Sequence, residues 1–311
     1  MMREVWLNKQ GFKGKTERKG WLVVKIILSR KGVDSAAGGI PSIVLPNDDI
    51  VHVPIPGDAE EKITYSNVKY SKEGDNLANL LAELTSNIHY GKTKVPFSNG
   101  IKCHLDPDIN QLSFQRSRDW RGCFGQIGAA QTVLTSANVA KGDIFLFFGW
   151  FNKTYMDNEK LKFCKGNGFH MIYGWLEIDE MIYTNKMAVP NWLKYHPHMN
   201  ANKKDDQKNC IYVASQKLSM TDNITGYGVF DKFDESLVLT KEGMSRSKWN
   251  LPDFFRNTSI TYHSESSWKD NYFQSAFRGQ EFVCQENSEI TEWAEGIIKQ
   301  NGTSLLVEKS Q

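Results

Sequence analysis

The chain has 311 residues, 40% hydrophobic and 24% charged, with a formal net charge of +2. That make-up suits a globular protein with a sizeable core and excludes disordered, collagen-like and disulfide-stapled chains. No run of 18 apolar residues occurs and the N-terminus lacks a short apolar stretch before a small-residue cleavage site, so neither a membrane-spanning helix nor a secretory leader is expected.

Residues 1–23 read as a basic N-terminal extension: residues 1–31 carry nine Lys or Arg against Glu4 and Glu17. Such an arm suits a polyanion such as nucleic acid, and a solvated tail is the plain alternative. Residues 24–311 read as a single domain. Val23–Leu28 is a short buried strand, and the glycine-rich loop 29–41 follows its end. The apolar spacing of Leu77, Leu80, Leu81, Leu84 and Ile88 predicts a helix over 73–90, with Gly91 past its end. "CFGQIGAAQTVLTSA" predicts a second helix over 123–137. "IFLFFGWF" from Ile144 and "HMIYGWLEIDEMI" from His170 predict two buried, paired strands. "IYVAS" and "SLVLT" read as further strands, and 290–299 as a C-terminal helix. Strands and helices mix without a βαβ rhythm, so the expected class is α+β with a strand-rich, barrel-like middle. Cys103, Cys123, Cys164, Cys210 and Cys284 are odd in number and lack C-x-x-C spacing. They read as free thiols of a reducing compartment, which points to the cytoplasm.

Four constellations carry chemistry. In the first loop, Ser29, Arg30, Lys31 and Ser35 suit a phosphate, and Gly32, Gly38 and Gly39 let backbone approach it. Asp34 would repel that ligand, so it reads either as a catalytic carboxylate or as the cap of a turn. "CHLDPDI" offers His104, Asp106 and Asp108 as metal ligands, as acid–base groups or as turn residues around Pro107. In "FGQIGAAQ", Phe124 can stack on a base and Gln126 and Gln131 can read its edge, or the stretch is a tightly packed helix. His196 and His198 suit a metal or a phosphate, although loop histidines are commonly exposed and idle. Arg246 reads as a second phosphate clamp. Glu281 reads as a further carboxylate or as the partner of Arg278 or Arg246. No Walker or dinucleotide-binding motif occurs, and no cofactor is expected.

Taken together, "ILSRKGVDSAAGGIPS", "HLDPD", "FGQIGAAQ", "GDIFLFFGWF", "IYGWLEI", "HPH", "IYVAS", "LTKEGMSRSKWNLPDFF" and "RGQEFV" resemble the third nucleotide-modification-associated domain family of bacteria and phages. The resemblance runs from about Lys25 to about Trp293. It implies a role in making, reading or attacking modified bases in DNA, in a phage-defence setting, without fixing a reaction. The strings around Ile144 and Ile172 are also similar to the strand pairing of PUA-like barrels. That likeness implies an aromatic wall of Phe148, Trp150, Tyr173 and Trp175.

The lean residue set fits best a DNA glycosylase that hydrolyses the N-glycosidic bond of a flipped, modified base, such as a glucosylated one. Asp34 is its first expected carboxylate, Asp106 the second and Glu281 the third. DNA bearing modified bases is the expected partner, and no membrane is. The rival readings are an enzyme that builds a base modification and a non-catalytic reader of modified bases.

Overall fold

A computed structural model describes residues 23–221 and 223–302. The basic extension expected over residues 1–23 therefore lies almost wholly outside the described residues. The central sheet uses β1 (Ile26–Arg30), β2 (Cys123–Gln126), β3 (Ile144–Asp157), β4 (Phe169–Tyr183), β5 (Cys210–Ala214) and β6 (Glu281–Cys284). Their order is β6–β1–β3–β4–β5–β2. β1 lies parallel to β3 and antiparallel to β6; the remaining neighbours are antiparallel. The protein is a mixed α+β fold whose sheet curls into a half-barrel.

The reason for this centre is written in β3 and β4. Ile144–Phe148 and Met171–Ile178 are buried at every position, the pattern of strands covered on both faces. Two irregularities, between Phe147 and Phe148 and between Ile178 and Glu180, interrupt the pairing. Such bulges increase local twist and help a sheet curl. Phe124, Phe145, Phe147 and Tyr212, from three strands, then pack ring against ring, with centroids 5.0 to 5.9 Å apart.

The curl brings the two ends of the strand order together. Gln126 on β2 donates from Nε2 to Glu281 Oε1 on β6 at 2.6 Å. Helix α2 (Gly128–Ser136) follows β2 directly, and α3 (Ser288–Asn301) packs near β1. A second core is built mainly from residues 33–105: Val53, Tyr65, Leu77, Leu81, Ile88 and Leu105 surround helix α1 (Leu77–Leu84).

Three predicted elements come out differently. The helix expected over 73–90 spans only Leu77–Leu84, capped by Asn76, and Asn87–Tyr90 is a strand of a hairpin. Ile88 keeps the helical spacing by coincidence, because it belongs to that strand and still faces the same core. The helix expected over 123–137 is split: Cys123–Gln126 pairs with β5, and only from Gly128 does the chain coil. "SLVLT" forms a 3-10 turn and isolated bridges instead of a strand.

Phe145 sits at the centre of the ring cluster, fully buried. Phe145→Ala is expected to lower unfolding free energy by about 3–5 kcal/mol, read by urea denaturation.

Candidate functional site: a buried polar chamber

The loop after β1 ends up far more exposed than its composition suggests. Asp34 is exposed, and its Oδ1 accepts the backbone N–H groups of Ala36 and Ala37, both at 2.7 Å. It is the cap of an Asx-type turn. Ser35 is also exposed; its hydroxyl accepts from Arg246 Nη2 at 3.2 Å. The Arg246 guanidinium lies 4.0 Å over the Trp150 ring, and Arg30 donates to the carbonyls of Phe277 and Gly279. Burial lowers the pKa of both arginines, against the opposing charge of Asp34. The structure thus groups Arg30, Asp34, Ser35, Trp150 and Arg246 at the surface, as a cationic, aromatic patch.

Lys31 turns the other way. Its ammonium donates to Glu281 Oε1 at 2.6 Å and lies 4.6 Å from the Phe124 ring centre. Glu281 is completely buried, opposite Ser29 in the β1–β6 register. Lys31 takes the ion-pair role expected of Arg278 or Arg246. Gln126 contributes the second bond to the same carboxylate oxygen. Glu281 Oε2 and Ser29 Oγ are buried with no hydrogen-bond partner.

A second cluster lies against β2. The 3-10 turn Pro197–Met199 places His196 and His198, both buried, beside the Asp106 carboxylate. His196 Nε2 lies 3.4 Å from Asp106 Oδ1, and His198 Nε2 lies 3.5 Å from Oδ2. His104 Nε2 stands 3.8 Å from Oδ2. Asp106 Oδ1 accepts the Gly125 N–H at 2.8 Å, one residue from Gln126. A Cβ on Gly125 would come within 2.3 Å of the His198 ring, so a glycine is required for this approach. Behind the cluster, Glu61 Oε1 accepts from His104 Nδ1 at 2.7 Å, and Asn209 Oδ1 faces His198 Nδ1 at 2.6 Å. Asp108 diverges from the expected row: it takes bonds from Arg116, Tyr195 and Trp120.

Tyr173 and His52 link the two clusters. Their rings stack at 4.1 Å, and Tyr173 Oη and His52 Nε2 are both buried without partners. Burial, then the charges of Asp106 and Glu281, push the Tyr173 phenol well above its ordinary range. Burial pulls the His52 pKa down to about 3. Burial raises Asp106, but the closely facing His196 and His198 imidazoles outweigh it and hold the carboxyl well below the usual range. Burial also lowers His198, against the pull of Asp106. Near neutral pH the chamber therefore holds an ionised Asp106 and a neutral His52. A narrow cleft between the two cores is lined by His52 and Tyr173, with Leu105 and Pro107.

Several expected roles are displaced. Phe124 is core rather than a stacking surface. Gln131 is spent on Tyr212 and Thr135, away from the chamber. The aromatic wall is divided: Phe148 and Trp175 are core, Trp150 is on the surface patch, and Tyr173 alone reaches the chamber. His196 and His198 are buried rather than exposed. Glu61, Asn209 and His52 went unnoticed. Only His52, set between two valines, offered any sequence signal.

Residues 25–285 match the family model described as nucleotide modification associated domain 3. The chain belongs to this family. No curated protein and no solved structure matches it. The match spans every chamber residue named above and the surface patch, so the nucleotide modification associated domain 3 is one unit with both features. No helix among the described residues is long and apolar enough to cross a membrane.

His170 gives this unit a pH dependence. Its Nδ1 accepts from Trp249 Nε1, and burial, then the charges of Arg30 and Arg246, pull its pKa down from 6.5 to about 3. The unfolded chain binds this proton near pH 6.5 and the folded chain does not. The stabilisation is thus complete above pH 6.5 and is lost as pH falls toward 3, by about 1.4 kcal/mol per unit. His170→Gln is expected to flatten the fall in unfolding free energy between pH 6.5 and 4.5, measured by urea titration.

Proposed function

We propose that this protein is an enzyme that hydrolyses the N-glycosidic bond of a modified base in DNA, with Glu281 in place of Asp34 as its carboxylate. One observation carries the reading. Glu281 is buried, one of its oxygens is held by Lys31 and Gln126, and the other has no partner. A carboxylate anchored at one oxygen and unpartnered at the other is preorganised to meet developing positive charge in a site of low dielectric.

In the proposed step the C1′–N bond breaks and its electron pair leaves with the base. The free oxygen of Glu281 stabilises the cationic sugar and takes a proton from water as the water oxygen bonds to C1′. That proton then leaves on the departing base. Arg30, Arg246 and Trp150 supply the surface on which a phosphate and a neighbouring base rest. Lys31 bridges the two regions, since its ammonium also lies 3.4 Å from Gln280 on the exposed side. Membership of a nucleotide-modification family supports a modified base as substrate.

The test incubates purified protein with unmodified DNA and with phage DNA carrying hypermodified bases, then measures abasic sites and released base. Release confined to modified DNA is expected. Glu281→Gln is expected to slow it by at least about 100-fold, while Asp34→Asn leaves it within about 3-fold. Binding without release from any modified DNA would turn the reading toward a non-catalytic reader.

A further inference from the structure

We propose that His104, Asp106 and His198 form a binding site for one divalent first-row transition-metal ion. The argument is an account of protons. Asn209 spends its amide hydrogens on the carbonyls of His198 and Lys203 and on the Thr184 hydroxyl. Its oxygen is left facing His198 Nδ1, so the proton of that imidazole sits on Nδ1. The Glu61 carboxylate likewise fixes the His104 proton on Nδ1. In its neutral form each ring then presents the lone pair of Nε2 forward.

Both lone pairs point at Asp106 Oδ2, itself an acceptor, from 3.5 and 3.8 Å. The three ligand atoms, one each from His104, Asp106 and His198, lie within 4.8 Å of one another, and with these tautomers all three are acceptors. Such an arrangement repels itself unless a cation sits at its centre. At metal–ligand lengths of about 2.0–2.2 Å, ligand atoms in a tetrahedral set stand roughly 3.4 Å apart, close to the two separations from Asp106 Oδ2, and the whole set, within 4.8 Å, would draw together on the ion.

A separate observation points to the same place. His196 is fully buried, its Nδ1 accepts the His198 backbone N–H, and its Nε2 has no hydrogen-bond partner beside Asp106 Oδ1. It is placed to donate to the carboxylate or to a water on the ion. Imidazoles fixed by a carboxylate and an amide oxygen are the usual support of metal-ligating histidines. Two nitrogens and one oxygen suit zinc, iron or manganese rather than magnesium or calcium, and three protein ligands leave a position for water or substrate.

This inference does not rest on glycosidic hydrolysis, because its readout is the metal itself. The full-length, untagged chain is stripped with chelator and titrated with Zn²⁺ against a chromophoric competitor, and with Co²⁺ followed by visible absorption. One equivalent of each metal per chain is expected. Asp106→Asn and His198→Gln should weaken binding at least 100-fold. Glu61→Gln, which leaves all three ligands in place, should weaken it about 10–100-fold. Circular dichroism establishes that each variant is folded, and Glu61→Gln decides if the ligand variants are not. Absence of saturable binding by the unaltered chain, or equal affinity in the folded variants, overturns the site.

Discussion

A single carboxylate oxygen holds the two ends of the sheet together. Glu281 Oε1 receives both the Lys31 ammonium, from the residue after β1, and the Gln126 amide, from β2. β1 is the neighbour of β6, but β2 stands at the opposite end of the strand order. A six-strand path has closed on itself through a side-chain contact where no backbone ladder is present. Desolvating the two charges is costly, and charge-assisted bonds at 2.6 Å offset much of it. What remains uncompensated is the other oxygen, and the chamber is arranged around that deficit.

The same constraint explains why polar atoms collect between two apolar cores. One core fills the half-barrel, and the other lies under helix α1. Neither can seal against the other completely, because Asp106 and Glu281 hold β2 between them, at Gly125 and Gln126. Ser29, His52, Tyr173, His196 and Glu281 each carry a buried polar atom without a partner. Buried polar groups are otherwise almost always satisfied, so this concentration marks a place adapted for something other than stability.

The sequence made the centre of the sheet legible because β3 and β4 are covered on both faces, and unbroken apolar runs announce that. Local signals failed where tertiary pairing overrode them. Gly125 and Gln126 look like the start of a helix in "FGQIGAAQ", but β5 offers them a ladder first. Ile88 fits a helical stripe and a strand equally well. The candidate site was half legible. Asp106, Glu281, His104, Gln126 and Lys31 stood out by type, and His196 and His198 by spacing. Their convergence was not readable, since residues more than 150 positions apart meet at Glu281. Asp34 stands out through its loop, and its two backbone bonds are those of a turn cap, the plainer of the two readings its sequence allows.

The place of β1 has a consequence for how the chain acquires its shape. It comes first among the sheet strands, but its two neighbours begin at Ile144 and Glu281. During synthesis β1 waits for its second partner, which arrives only near the end of the family match. Pairings this distant in sequence form slowly and leave strand edges open to wrong partners. The seam of the half-barrel therefore cannot close before β6 has been made: until Glu281 is in place, Lys31 and Gln126 have nothing to close upon.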